Sequence, residues 1–155
     1  MQLEDDFRHK SGGKTLLSVS ADGSINHWNA LTGKLQHHTK HEDNSLFACD
    51  FSCDGLKYTV AGQDMAVYLY DELTRQLVCR MTSNGIKLNG HTNRVFCTKF
   101  LPEDPNVCIT GGWDRIMKVY DTRVGKPVSQ ILGPLVAGDA IDIGGDEIVA
   151  GSNRH

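Results

Sequence analysis

Three residues of this chain, His91, Thr110 and Asp114, have the side-chain types of a nucleophile, a base and an orienting acid. A histidine that takes a proton from a hydroxyl and is itself held by a carboxylate is the arrangement of Ser-His-Asp hydrolases, here with threonine in place of serine. The same groups also suit a chain of hydrogen bonds that satisfies polar atoms inside a sheet. A structural set would recur along the sequence, whereas a catalytic set would be expected once.

Two further groups carry metal-binding side chains. His37, His38 and His41 lie close together in HHTKH, but neighbouring strand residues point to opposite faces, so His37 and His38 cannot easily share an ion. The five cysteines are an odd number and include no Cys-x-x-Cys pair. We therefore expect exposed strand histidines, no metal, no cofactor, and cysteines buried as small apolar residues in a reducing compartment.

The elements that must position these residues recur along the chain. An apolar run, a turn with an aspartate, a second run and an aromatic residue follow one another in LLSVSADGSINHWN (16–29), YTVAGQDMAVYLYD (58–71) and CITGGWDRIMKVYD (108–121). Turn chemistry between short, alternating apolar runs predicts β-hairpins. In each copy the aspartate stands six residues before the aromatic: Asp22 and Trp28, Asp64 and Tyr70, Asp114 and Tyr120.

The spacing of the copies indicates a repeat architecture. The aromatic residues are 42 and then 50 positions apart, close to the ~40–45 residues of a four-stranded propeller blade. His41 precedes Asp64, and His91 precedes Asp114, by 23 residues in each case. Because a catalytic site is seldom present in several copies, this recurrence favours the structural interpretation of His91, Thr110 and Asp114.

In these motifs the chain resembles the WD-repeat β-propellers over roughly residues 15–153. The third copy carries the resemblance in Gly90-His91 for the family's Gly-His, Trp113-Asp114 for its turn aspartate, and Tyr120-Asp121 for its Trp-Asp. The resemblance implies that a histidine, a serine or threonine, the aspartate and the tryptophan form a hydrogen-bonded tetrad that locks each blade. Val60 stands at the serine position of the second copy, so we expect a broken tetrad and a weaker blade there.

The implied tetrad residues can be assigned copy by copy. They are Ser18, Asp22 and Trp28 in the first copy, His41, Asp64 and Tyr70 in the second, and His91, Thr110, Asp114 and Tyr120 in the third. The first copy has no upstream Gly-His pair.

The fold class that follows is all-β, an open propeller segment of about three and a half four-stranded antiparallel blades. The predicted strands are 15–20, 24–29, 35–39, 46–51, 57–61, 65–70, 77–82, 94–100, 107–111, 115–120, 127–132, 139–143 and 147–151. The predicted divisions are a flexible tail (1–13) and a propeller segment (14–155) with a partial first blade (14–39), complete second (40–83) and third (90–133) blades and a partial fourth (134–155). A loop extension separates the second blade from the third.

An open array of this length would leave apolar faces and strand edges uncovered, because propellers generally close with four to eight blades. We therefore expect the chain to be a fragment of a larger propeller, completed by further blades, by a second copy or by another chain.

The turns between the second and third strands of each blade are candidates for partner contacts. The resemblance places them on one face, where the residue before the turn aspartate often contacts partners. The candidates are Ala21, Gln63, Trp113 and Arg115. An exposed aromatic beside an arginine has the chemistry of an interface hot spot. The alternative is that Trp113 folds down over Ile116 or a neighbouring blade.

A second candidate contact follows the third hairpin. Tyr120, Asp121, Thr122 and Arg123 resemble the short motif of propellers that serve as substrate receptors of cullin-RING ubiquitin ligases, in which Asp121 and Arg123 would face the ligase adaptor. The alternative is a surface ion pair between the two residues.

Composition narrows the function classes. With 16 Lys and Arg against 19 Asp and Glu, the net charge is −3, which does not favour nucleic acid or acidic membranes as partners. No apolar run approaches a membrane span, and the N-terminus lacks a secretory signal. We predict a non-catalytic scaffold that presents blade-end loops to other proteins in the cytoplasm, with the nucleus as the alternative location. The alternatives are the ligase receptor and a truncated fragment without independent function.

Overall fold

The computed structural model describes residues 14–82 and 90–153. Over these ranges the chain forms thirteen strands and no helix: β1 Thr15–Val19, β2 Ser24–Asn29, β3 Leu35–Lys40, β4 Leu46–Phe51, β5 Lys57–Gly62, β6 Val67–Asp71, β7 Leu77–Met81, β8 Val95–Phe100, β9 Val107–Gly112, β10 Ile116–Asp121, β11 Lys126–Leu132, β12 Ile141–Gly144 and β13 Glu147–Ala150. Every bound lies within two residues of the sequence prediction. The predicted tail (1–13) and the predicted loop extension (83–89) lie outside the described residues.

Four antiparallel sheets follow one another in chain order. They comprise β1–β3, β4–β7, β8–β11 and β12–β13, and within each sheet the strands pair with their neighbours in sequence. The turns between β1 and β2, β5 and β6, and β9 and β10 carry the three aspartates of the repeat, so these hairpins occupy equivalent places in successive sheets. The all-β fold is confirmed, and the described sheets form an open array rather than a closed ring. No helix long and apolar enough to span a membrane occurs among the described residues.

The core lies between the sheets, in three apolar clusters that each join one sheet to the next. The first includes Ile25, Leu46, Tyr58, Val60 and Tyr70. The second includes Leu69, Met81, Val95, Phe100 and Tyr120, and the third includes Ile109, Met117, Val136 and Ile141. Each sheet therefore has to bury its faces against its neighbours, as in other repeat architectures.

Hydrogen bonds also connect the second sheet to the third. The hydroxyls of Thr59 and Thr98 lie 2.9 Å apart, and both side chains are buried. The Asp50 carboxylate accepts a hydrogen bond from the backbone N–H of Phe100 at 2.7 Å. Buried polar groups usually require such partners, so these bonds fix the relative placement of the two blades.

A β-bulge lies near the start of the first strand in both complete blades. The pairing of β4 with β5 passes from Leu46 to Ala48, and the pairing of β8 with β9 passes from Val95 to Cys97. The extra residues are therefore Phe47 and Phe96. A bulge bends the strand and re-aims its side chains, which turns both phenylalanines toward the end of the blade.

Glycine is required where the second strand approaches this bulge. A Cβ atom on Gly112 would lie 2.2 Å from the Arg94 carbonyl oxygen, and one on Gly62 would lie 2.0 Å from that of Ser45. In the third blade the close approach is held by a hydrogen bond from the Trp113 N–H to the Arg94 carbonyl at 3.1 Å. The absence of a side chain thus allows the two chain segments to approach each other this closely.

Candidate functional site

The third hairpin joins its polar residues in one continuous hydrogen-bonded chain. His91 Nδ1 lies 2.8 Å from the Asp114 carboxylate, and His91 Nε2 lies 2.6 Å from the Thr110 hydroxyl. The backbone N–H groups of Thr92 and Ile116 also donate to Asp114, at 3.1 and 3.3 Å. The network therefore joins the loop before β8, strand β9 and the turn before β10.

Burial and hydrogen bonding act in opposite directions on Asp114. Burial works to raise the pKa of its carboxyl group, but the hydrogen bond and charge of His91 and the amides of Thr92 and Ile116 together hold that pKa below its usual value. The ionised form of Asp114 is thus the one that the fold stabilises.

The geometry resembles a catalytic triad, but its position excludes that use. Thr110 is fully buried and His91 is 3% exposed, so a substrate cannot reach the hydroxyl without opening the blade. The Thr110 hydroxyl also lies 3.5 Å from the Lys118 carbonyl across the hairpin. The set holds the blade together.

Tyr120 does not complete this chain as a tetrad member. Its ring is fully buried and lies 6.4 Å from the His91 ring, and its hydroxyl has no hydrogen-bond partner among the described residues. An indole N–H lies on the side of a ring, whereas a phenol carries its polar group at the tip. Tyr120 therefore fills the tryptophan position chiefly by packing, and its hydroxyl makes no side-chain hydrogen bond to His91 or Asp114.

The first hairpin contains only part of the predicted set. Trp28 Nε1 donates to the Ser18 hydroxyl at 2.9 Å, across the paired strands β1 and β2. Asp22 is exposed and accepts from the backbone N–H of Ser24 at 2.9 Å. Asp22 and Trp28 are therefore not joined by a histidine in the described structure, and Asp22 stabilises its own turn.

The second hairpin divides its polar residues into two separate groups. His41 Nε2 forms a hydrogen bond with the Tyr70 hydroxyl, whereas Asp64 accepts from the Tyr68 hydroxyl at 2.5 Å and from Arg80 at 2.9 Å. Val60 offers no hydroxyl to His41, and no hydrogen bond joins His41 to Asp64 within the described residues, whereas His91 bonds both Thr110 and Asp114 in the third blade. Burial lowers the pKa of His41, although the charge of Asp64 partly offsets this effect.

At the ends of the blades an aromatic stack is exposed in part. The Phe47 and Phe96 rings are parallel within 9° at 4.9 Å, and the Trp113 ring lies 5.0 Å from Phe96. Trp113 is 42% exposed, and the Arg94 guanidinium lies 5.6 Å from the centre of its ring. Trp113 thus lies over Phe96 rather than Ile116. We call Phe47, Phe96 and Trp113 the aromatic stack.

Sequence reasoning missed Phe47, Phe96 and Arg94. A signal was present, because LFACDF (46–51) and VFCTKF (95–100) place a phenylalanine at the same position of two successive repeats. Its meaning depends on the bulge, which alternation alone does not predict.

The turn residue that follows the aspartate has the same left-handed backbone in all three hairpins. Gly23 has φ 87°, Met65 φ 67° and Arg115 φ 61°. A residue with a side chain is less stable in this conformation than glycine, by roughly 1–2 kcal/mol. Met65 and Arg115 are also exposed. Two turns therefore keep large exposed side chains where glycine would fit better.

The remaining predicted contacts lie at two ends of the sheets. Ala21 and Gln63 are exposed in the turns equivalent to that of Trp113. Asp121 is the last residue of β10 and Arg123 follows the strand, at the opposite end from Arg115. The two side chains form a bidentate ion pair with a shortest distance of 2.5 Å. The hydrogen bonds from Arg123 hold the pKa of Asp121 at about 2. The guanidinium of Arg123 is thus engaged within its own turn.

The histidine and cysteine groups form no metal centre in the part of the chain that the structure describes. His37 bonds to Thr39 at 2.8 Å and His38 to Asn26 at 2.8 Å, while His41 belongs to the second blade's network. The five cysteines are free thiols.

Comparison with known proteins identifies related repeats. Residues 82–121 match the family model "WD domain, G-beta repeat". Striatin-3 of Mus musculus is 30% identical over 147 residues, which cover 89% of this chain and 18% of that protein. The guanine nucleotide-binding protein subunit beta of Arabidopsis thaliana is 28% identical over 128 residues, which cover 83% of this chain and 34% of that protein. The chain therefore spans about a third or less of the length of these relatives.

The solved structure of U3-55K shares the fold. It superposes with a TM-score of 0.68 at 18% identity, over 83% of this chain and 38% of that one. None of these similarities supports the ubiquitin-ligase alternative.

Proposed function

Because the chain is built of WD repeats folded as propeller blades, we propose that it is a non-catalytic scaffold that binds a protein partner at one edge of its sheets. The turns 20–23, 63–66 and 113–115 lie at the same end of the strands in three successive sheets. We call this end of the sheets, together with the aromatic stack and Arg94, the upper edge. Proteins with such repeats commonly present loops to partners, but a fold does not by itself determine function. The proposal therefore depends on the residues of the edge.

The observation that carries the proposal is the partly exposed aromatic stack. Large aromatic side chains that are held rigidly and remain accessible are typical of interface hot spots. Trp113 is 42% exposed although Phe96 and Arg94 support it. The polar set of the third hairpin, in contrast, is buried within the blade and offers nothing to a substrate. These features favour binding over catalysis.

The strained turns add support from backbone energetics. Met65 and Arg115 keep a left-handed conformation in which glycine would be more stable. Such strain is concentrated at functional sites more than elsewhere in proteins. Both residues are exposed in turns of the upper edge.

Comparative affinity purification tests this function. The tagged protein, its Trp113→Ala variant and a Val128→Ala control are used as baits under identical conditions. Val128 is 49% exposed in β11 and lies outside the upper edge. We expect a defined set of proteins to co-purify with the wild type and the control but to be lost with Trp113→Ala. Equal recovery by all three baits, at equal thermal midpoints, would contradict the proposed binding surface.

A further inference from the structure

The aromatic stack offers an apolar surface bordered by positive charge. The Arg94 guanidinium lies 5.6 Å from the centre of the Trp113 ring, Arg115 follows two residues after Trp113 in the same turn, and both arginines are exposed. Neither makes an ion pair with any residue in the described ranges 14–82 and 90–153.

The acidic residues of the upper-edge turns differ in their surroundings. Asp64 is paired with Arg80 at 2.9 Å, Asp114 is buried and bonded to His91 at 2.8 Å, and Asp22 is exposed in the first hairpin, away from Trp113. In the turn and bulge of the third blade, the exposed charged side chains are therefore those of Arg94 and Arg115. This local excess contrasts with the net charge of −3 of the whole chain, so it is a property of this edge and not of the average composition.

The position of Arg115 gives a second, independent reason to regard its side chain as functional. The equivalent residue of the first hairpin is glycine, whereas Arg115 has φ 61°. An arginine gains nothing from this backbone conformation, and its exposed side chain makes no hydrogen bond within the described part of the protein. Arg115 adds a positive charge to the upper edge, which a glycine at this position would not.

We propose that the upper edge binds an acidic peptide segment of a partner protein that carries an aromatic or other large apolar side chain. The apolar side chain packs on Trp113 and Phe96, and flanking carboxylates pair with the guanidinium groups of Arg94 and Arg115. Arginine suits this task because its planar group can bond a carboxylate bidentately and also lie against an aromatic ring. This inference rests on the proposed function and specifies its ligand.

A direct binding measurement uses three labelled peptides and the full chain. The first peptide has Asp and Glu residues around one Phe, the second has Lys in place of the acids, and the third has Gly in place of Phe. Fluorescence polarisation reports their dissociation constants. We expect the first peptide to bind ~10-fold or more tightly than either of the others, because it alone has both the charge and the apolar anchor. Added salt should weaken its binding, because exposed ion pairs are screened.

Variants connect the binding to the named residues. Arg94→Gln and Arg115→Gly should each weaken binding of the first peptide by ~3–10-fold, and Trp113→Ala by at least ~10-fold. Arg115→Gly also removes the backbone strain, so the weaker binding should come without loss of thermal stability. Arg123→Gln is the matched control, because it removes the same charge about 20 Å away, at the far end of the six-residue strand β10.

Three results would overturn the inference. These are equal binding of the acidic and basic peptides, unchanged binding by both Arg94→Gln and Arg115→Gly, and an equal loss with Arg123→Gln. If co-purified proteins still depend on Trp113 while the acidic peptide does not bind, the scaffold function stands and the proposed ligand chemistry is wrong. If both experiments fail, the upper edge is not a binding surface.

A second copy of this chain is the alternative occupant. Sedimentation that shows dimerisation, lost with Trp113→Ala, would refute an acidic peptide as the occupant.

Discussion

At the scale of single residues, equivalent positions of the repeat have acquired different roles. Asp114 is buried and bonded to His91, Asp64 is partly exposed and bonded to Tyr68 and Arg80, and Asp22 is exposed and serves only its own turn. The difference follows from the histidine of each set, because His91 bonds directly to its turn aspartate whereas His41 bonds to Tyr70. The partner of the histidine therefore decides whether the turn aspartate belongs to a buried network.

Replacing the two more buried aspartates should show this difference. Asp114→Ala should lower the free energy of unfolding by ~1–3 kcal/mol, because it leaves Nδ1 of the buried His91 without a partner. Asp64→Ala should cost less, below ~1 kcal/mol, because its side chain is 24% exposed and its ion pair is solvated. Urea unfolding of both variants measures the two losses. Equal losses would contradict the interpretation of the third hairpin as the more tightly bonded one.

The lowered pKa of Asp114 predicts a specific acid dependence. A carboxyl group whose pKa is lower in the folded than in the unfolded state contributes stability that is fully present above about pH 4 and is lost as the pH falls through the folded value. We therefore expect the stability advantage of the wild type over Asp114→Asn to be constant from pH 7 to about pH 5 and to shrink below about pH 4. Urea titrations at each pH measure it. An advantage that grows in acid would show that the pKa is shifted upward instead.

At the scale of elements, the hairpin and the bulge together build the upper edge. The turn aspartate and its left-handed neighbour close each hairpin, and the bulge at Phe47 or Phe96 turns an aromatic ring to the same edge. Gly62 and Gly112 permit the close approach between the two features. The aromatic stack is thus a product of backbone geometry that two successive blades share.

A methyl group at Gly112 should disrupt this arrangement. Gly112→Ala places a Cβ atom 2.2 Å from the Arg94 carbonyl oxygen, so strand β9 has to move away from the bulge, at a cost of ~1–3 kcal/mol. Gly144→Ala is the control, because its Cβ would meet nothing within 4 Å, and it should change stability by less than ~0.5 kcal/mol. Thermal unfolding of both variants decides the matter. A harmless Gly112→Ala would mean that the approach is not tight.

At the scale of the whole molecule, the blades are joined chiefly by apolar packing, with a few buried polar bonds that fix their placement. The three clusters lie between successive sheets, so the stability of a blade depends on its neighbours. The contact between Thr59 and Thr98 belongs to this scale, since it joins two blades and leaves no polar atom exposed to water.

A double-mutant cycle on this pair should report coupling between blades. Thr59→Val and Thr98→Val should each cost ~1–2 kcal/mol, because each leaves the other buried hydroxyl without its partner. The double variant should cost less than the sum, since it removes both groups and leaves neither unpaired. Chemical denaturation of the four proteins measures the coupling energy. Strict additivity would show that the two hydroxyls do not depend on each other.

The sequence alone determined the repeat, the strand bounds to within two residues and the positions of the three turn aspartates, because hairpins form from local turn chemistry and side-chain alternation. It grouped His91, Thr110 and Asp114, which do meet, but it did not determine the other contacts. The pairing of His41 with Tyr70, the unpartnered hydroxyl of Tyr120 and the stacking of Phe47 on Phe96 were decided only by the tertiary structure. Their partners come from different strands or blades, so their distances depend on bulges, twist and packing that no local pattern encodes.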